Sequence, residues 1–222
     1  MKPKKTALIC IVAVLALALM GFGFAKWSDT VAINAEVATG NVDVEIEALG
    51  VNDEGPDPNI PPGNNSEGKD VASIECVNVD ENTIKVTISN AYPWYQPGFM
   101  FRINGVGTVP VKVEDVIGPN WDGELGDFIK VASWKITVHN PASNGLEQYD
   151  DVISSEGETS WDDLFDALKY IQLHQDGFIE VEVNLCIIEE IGEELAPEEA
   201  TTTGTITINV AQWNEVFGPV AE

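Results

Sequence analysis

His139 and His174 are the two histidines of this chain, and they are where transition-metal or general-base chemistry would have to begin. A zinc hydrolase needs several imidazoles or thiolates at ligand spacing, as in a helical H-E-x-x-H. These two lie 35 residues apart with no cysteine at ligand spacing beside either. His139 precedes Asn140-Pro141 at an expected strand end, and His174 falls late in an expected helix. Both read as isolated surface or helix-terminal histidines. No G-x-S-x-G elbow presents a nucleophilic serine. Paired carboxylates for glycoside hydrolysis can be chosen anywhere among 37 acids, so such a choice carries no information. The residues do not point to an enzyme.

Hard cations are a better match to the side chains present. Asn120-Trp121-Asp122-Gly123-Glu124-Leu125-Gly126-Asp127 clusters oxygen ligands on a loop kinked by glycines, which makes Asn120, Asp122, Glu124 and Asp127 candidate calcium ligands. The segment lacks the full EF-hand pattern and its terminal Glu, so the other reading is an acidic turn between two strands. No other cofactor is expected. Of the three cysteines, Cys10 lies in the leader described below, leaving Cys76 and Cys186. Outside the cell they are candidates for a disulfide. Cys76 shares a phase with Ile74, whereas Cys186 points away from the apolar alternation of 178–188, which favours two buried or half-buried free thiols. Asn64, in Asn64-Asn65-Ser66, is the candidate glycosylation site.

The elements that would position these residues are mostly strands. Val42, Val44 and Ile46 alternate with Asp43, Glu45 and Glu47, and the same period of two recurs at 71–79, 84–88, 99–103, 109–113, 134–138, 178–188 and 206–210, giving about eight strands. Apolar residues alternating with acids mean one buried and one solvated face, as in antiparallel sheets. Strands joined by turn clusters, without alternating helices, predict an all-β jelly roll or β-sandwich. One short helix is inserted: Ser160 and Asp163 form a capping pair, Leu164, Leu168 and Ile171 recur on one face, and Gly177 is the expected stop. Residues 52–70 and the glutamate-rich 189–199 are expected as long acidic surface loops.

The chain starts with Lys2, Lys4 and Lys5, then an apolar run from Ala7 that ends in Gly21-Phe22-Gly23-Phe24-Ala25. This is the plan of a cleavable signal peptide, with the cut between Ala25 and Lys26. The alternative is an uncleaved anchor, since residues 7–25 give 19 apolar positions. The expected organisation is a signal peptide at 1–25, an N-terminal segment at 26–40 and a single β domain at 41–222. Net charge is −26, and removal of the three leader lysines leaves 8 basic against 37 acidic residues, or −29. Such a surface repels phosphate backbones and anionic lipid, so nucleic acid is not an expected partner and membrane contact is expected only through the uncleaved leader. With 44% hydrophobic residues the chain is too apolar for an acidic disordered protein.

Several segments, in order, resemble the TasA/camelysin family of secreted fibre-forming proteins, which includes archaeal bundling-pilus subunits. Gly23-Phe24-Ala25 followed by Lys26-Trp27-Ser28-Asp29-Thr30 resembles the family's signal end. Ala38-Thr39-Gly40-Asn41-Val42-Asp43-Val44 is similar to its first strand, and Ala211-Gln212-Trp213-Asn214 to its last. Between them, Ser89 to Tyr95, Phe99-Met100-Phe101 and Asn104 to Val111 resemble its N-A-Y-P-G-Y…F…N-x-G-T-x-P segment. Trp94 stands where the family has a small residue, and the 52–70 excursion is long. The resemblance implies an extracellular or cell-surface filament of identical subunits, used in biofilm or cell-to-cell attachment, in which each subunit receives the N-terminal strand of a neighbour. Residues 27–37 suit that role: Trp27, Val31, Ile33, Ala35 and Val37 share one phase, and Ser28, Thr30, Asn34 and Glu36 the other. The same segment could instead fold back as its own subunit's first strand. Lateral bundling of such filaments through cations is a further expectation, given the concentrated charge. The alternatives are a monomeric surface adhesion module anchored by residues 7–25 and a camelysin-like surface metalloprotease.

Overall fold

Alternation in the sequence becomes alternation in burial. In the computed structural model β1 (Val44–Asn52) buries Val44 and Ile46 while Glu45 and Glu47 face solvent. The structure describes residues 10–15, 40–53, 71–142, 145–192, 194–197 and 199–214. The other strands are β2 (Ser73–Asp80), β3 (Thr83–Ala91), β4 (Gly98–Gly105), β5 (Val111–Ile117), β6 (Ile129–Asn140), β7 (Tyr149–Ser154), β8 (Gln172–Leu173), β9 (Phe178–Ile187), β10 (Glu190–Ile191), β11 (Glu194–Leu195) and β12 (Ala200–Gln212). The clearest case is β9, where every second side chain from Ile179 to Ile187 is buried. The chain divides into two compact units, Met1–Ala38 and Thr39–Glu222. In the first, the described residues 10–15 are helical. Among the described residues no helix is long and apolar enough to cross a membrane.

The second unit is an all-β sandwich. One sheet has the order β1-β4-β9-β6-β7, the other β2-β3-β12-β5-β8, and every pairing is antiparallel. The pairs β3·β12, β4·β9, β5·β8 and β6·β7 nest one inside the next along the chain and fall alternately in the two sheets. That is a long hairpin rolled up, the jelly-roll order. β1 and β2 are added outside it, one to each sheet, against β4 and β3. Phe99, Phe101, Ile103, Trp134 and Ile136 meet Ile84, Val86, Ile88, Val113, Ile206 and Ile208 in one continuous core. Each such side chain taken from water is worth about 1.5–3 kcal/mol.

All eight expected strands are present, and four more join them. β7 is the substantial addition, whereas β8, β10 and β11 are two residues each. β10 and β11 pair as a small hairpin, so part of the expected glutamate loop at 189–199 is ordered sheet. The helix α1 (Trp161–Leu168) begins at Ser160 with the capping box complete: the Asp163 amide donates to the Ser160 hydroxyl at 3.2 Å, and the Ser160 amide to the Asp163 carboxylate at 2.8 Å. Leu164, Phe165 and Leu168 are its buried face. The helix ends earlier than expected. Tyr170 takes a φ of 70°, which breaks the helical path, and residues 172–173 pair with β5. Gly177 therefore does not terminate α1. It sits in the turn before β9, where a β-carbon would strike the Asn140 side-chain oxygen.

Trp94 lies in the turn before β4 at a φ of 74° and is 45% exposed. Left-handed backbone suits glycine, so a bulky aromatic here carries a conformational cost.

Candidate functional site

The calcium candidates do not converge. Asp122 is occupied as a clasp between its loop and β12: its amide donates to the Thr203 carbonyl at 2.9 Å, and its carboxylate accepts from the Thr203 amide and, at 3.1 Å, from the Thr202 hydroxyl. The Thr202 hydroxyl also reaches the Asp122 carbonyl, at 2.6 Å. Trp121 lies flat over Gly204, where a β-carbon would come within 2.7 Å of the indole. Glu124–Phe128 is a turn of 3-10 helix whose buried residues are Leu125 and Phe128, and Asn120, Glu124 and Asp127 are exposed around it. Among the described residues no group of three or more His, Cys, Asp or Glu side chains is placed to hold a metal ion. The Asp122 carboxylate is thus committed to β12, which pins this acidic turn to the sandwich.

Cys76 is on β2 and Cys186 on β9, in different sheets, and both are free. Cys76 packs against the core, and burial pushes its thiol up to about 11. Cys186 is out of phase with the buried residues of β9, and its thiol is raised as well, by partial burial. Side chains on different sheets, one facing the core and one facing away, have no geometry for a disulfide.

His174 is not on the helix. It is 5% exposed in the β8–β9 turn, its amide donating to the Asn140 side chain at 2.9 Å and its ring Nδ1 lying 3.0 Å from the Pro141 carbonyl. Asn140 in turn donates to the Gln172 carbonyl at 2.7 Å. The group ties β6 to the turn and is structural. His139, by contrast, is on the outer face of β6, with its ring Nδ1 2.5 Å from an Asp150 carboxylate oxygen and the ring against Phe178. Trp27, Val31, Ile33, Ala35 and Val37, the cleavage pair Ala25 and Lys26, and Asn64 lie outside the described residues.

Sequence reasoning missed the open edge of the sandwich. The first sheet ends on the six-residue β7 and the second on the two-residue β8. Between them lies a cleft of about 490 Å³, with Val138, Ile153 and Ile171 among its apolar walls and Tyr149 and Tyr170 at its rim. Lys169, at the end of α1, lines it and lies 3.8 Å from Asp115. β7 is guarded by acids. Tyr149 Oη donates to the Asp151 carboxylate at 2.7 Å, which raises the Tyr149 phenol above its ordinary value. The Gln148 amide at 2.7 Å, and then His139, hold the Asp150 carboxyl below the usual carboxylate range. The Val152 amide donates to the Asp151 carboxylate at 2.8 Å. The signal for β7 was faint because Asp151 takes the same phase as Tyr149 and Ile153, which breaks the apolar alternation.

No protein-family model matches the chain, and no curated protein matches it significantly.

Proposed function

We propose that this chain is a structural subunit of an extracellular filament. In this reading residues 1–25 direct export and are removed after Ala25, and residues 26–40 leave the subunit to complete the sandwich of a neighbour. The product is a homopolymer, with biofilm cohesion or cell-to-cell attachment as its use and lateral bundling as a secondary association. One observation carries it: a jelly-roll sandwich with one edge left open, in a chain that places a period-two apolar segment ahead of that sandwich. Strand addition to an open edge gains main-chain hydrogen bonds along the strand and specificity from alternate side chains. The resemblance of the segment ends to secreted fibre-forming proteins supports the same reading. The chemistry proposed is assembly rather than catalysis.

The test contrasts the two phases of the segment. Ile33→Asp puts a carboxylate where a side chain is to be buried unpaired, at a cost of several kcal/mol at every joint. It should abolish filaments seen by electron microscopy while the subunit stays soluble. Asn34→Asp, in the other phase, should leave them intact, since a one-residue shift exchanges the faces. Filaments of normal length and melting temperature from Ile33→Asp overturn the mechanism. Native protein retaining Met1 by mass spectrometry points instead to the anchored adhesion module.

A further inference from the structure

We propose that the cleft between β7 and β8 is a carbohydrate site that takes a neutral pyranose unit of a polysaccharide, stacked on Tyr149 and Tyr170 with its hydroxyls on His174 and Gln172. This goes beyond the filament reading and does not depend on it.

At about 490 Å³ the cleft has the size of small-ligand pockets, which run from about 300 to 1,000 Å³. Its two rim aromatics are exposed yet held in place. Tyr149 Oη is tied to the Asp151 carboxylate at 2.7 Å. Tyr170 stands at a φ of 70°, a left-handed backbone that is costly for a bulky residue. Neighbouring bonds to β5 fix it there: the Tyr170 amide donates to the Val113 carbonyl at 3.0 Å, and the Val113 amide to the Ile171 carbonyl at 3.4 Å. Rings fixed before binding lose little freedom when a ligand stacks on them.

The deepest polar side chain of the cleft with an atom to spare is His174, 5% exposed. Its ring Nδ1 lies 3.0 Å from the Pro141 carbonyl, which only accepts, so Nδ1 carries the hydrogen. In the neutral ring Nε2 is then an acceptor, and among the described residues it has no partner. The Gln172 side chain, which also lines the cleft and has no partner among the described residues, adds a donor and an acceptor.

These groups select the ligand's chemistry. A wholly apolar molecule would suit the walls at Val138, Ile153 and Ile171 but would leave His174 and Gln172 unpaired beneath it. A charged one finds no free counter-charge. Lys169 opposes a cation and is already 3.8 Å from Asp115 and 3.7 Å from Asp166, while Glu147 and the net charge of −26 oppose an anion. A pyranose is neutral, with C–H faces for aromatic and aliphatic side chains and a hydroxyl edge that both donates and accepts. The exposed rim lets linked sugars continue out of the cleft. By contrast, the cavity of about 560 Å³ beside Asp43, Glu114 and Asp115 has no aromatic lining residue on which a sugar face could stack.

An NMR titration of the full chain, dispersed, tests this. The probes are the methyl glycosides of glucose, galactose, mannose and N-acetylglucosamine, followed by the matching tetrasaccharides. At least one glycoside at millimolar concentration should shift the His174 and Tyr170 ring signals, and its tetrasaccharide should bind about tenfold more tightly. Tyr149→Ala and Tyr170→Gly should each weaken binding about tenfold through lost stacking, and glycine suits the left-handed backbone at 170. Trp213→Ala, an exposed aromatic at the end of β12, should change binding by less than about twofold. Glycosides that move neither His174 nor Tyr170 overturn the site, as does equal weakening by Trp213→Ala. A tetrasaccharide no tighter than its glycoside overturns the polysaccharide in favour of a free sugar. A peptide of residues 27–37 that moves the same signals when no sugar does overturns the carbohydrate site and leaves the filament reading standing. Sugar binding by a chain that never polymerises overturns the filament reading alone.

Discussion

The two edges of the sandwich solve the same problem in opposite ways. At the β1/β2 edge the strands are nine and eight residues long and stitched across the gap: Asn78 accepts from the Ala48 amide at 2.7 Å and donates to the Ile46 carbonyl at 2.6 Å, so one side chain bridges both sheets. At the β7/β8 edge the strands are six and two residues long, and a cleft stands between them. Exposed sheet edges are sites of uncontrolled pairing unless covered, blunted or charged. The first edge is covered by its partner. The second is charged, with Asp150 and Asp151 on β7. A covered edge needs no further protection; an edge that stays exposed relies on its charges against indiscriminate pairing.

Substitutions should separate the two edges. Ile46, 1% exposed on β1, closes the first edge from inside. Ile46→Ala should cost about 2–5 kcal/mol in denaturant unfolding. Ile153→Ala, the half-buried apolar residue of β7, should cost under about 1.5 kcal/mol in the dispersed subunit. Equal losses at the two positions would mean that the cleft is closed in solution. A smaller contrast follows at the polar clasps. Asn78→Ala removes one exposed and one part-buried hydrogen bond and should cost about 0.5–1.5 kcal/mol. Gln148→Ala, which removes an exposed contact to Asp150, should change stability by less than about 0.5 kcal/mol by the same measurement.

That contrast also explains what the sequence disclosed. β3, β4, β9 and β12 are buried on one face along most of their length, so period two is strong and the all-β sandwich is legible. Ser160 and Asp163 announce the start of α1 because a capping box is local chemistry. Its end was not legible, since the break at Tyr170 follows from pairing with a strand nearly sixty residues earlier. Asp122 shows the same limit. Oxygen-rich loops look alike whether they bind a cation or a backbone, and only the approach of Thr202 and Thr203, some eighty residues away, decides between them. The cleft was invisible for a related reason: a short edge strand with an inward carboxylate lacks the pattern that marks buried strands.

The smallest expected effect is the most diagnostic, because the shifted titrating groups lie at the β7 edge. Asp150 has its carboxyl held below the ordinary range, chiefly by Gln148 and then by His139. Its contribution is therefore present above the ordinary carboxylate value of about 4 and is lost as the pH falls through the lowered one. Tyr149 is shifted the other way, its phenol raised chiefly by the hydrogen bond it donates to Asp151. That contribution is present below the ordinary phenol value of about 10 and is lost as the pH rises through the raised one. β7 should thus be held firmly in a window bounded on both sides, loosening in acid and again in strong alkali. Around Ile46 the β1/β2 edge is closed by Asn78 and backbone groups, which do not titrate in this range, and the Asp53 carboxylate takes the Ile74 amide at its far end. Chemical shifts followed against pH should show an acid step at the Gln148 side-chain amide, which donates to Asp150, an alkaline step at Val152, and neither at Ile46, up to the pH at which the whole domain unfolds. Asp150→Asn should remove the acid step alone, and Tyr149→Phe the alkaline step alone, each without moving the global midpoint measurably. If Gln148, Val152 and Ile46 titrate together with shared midpoints, the two edges loosen as one unit and the contrast between them fails.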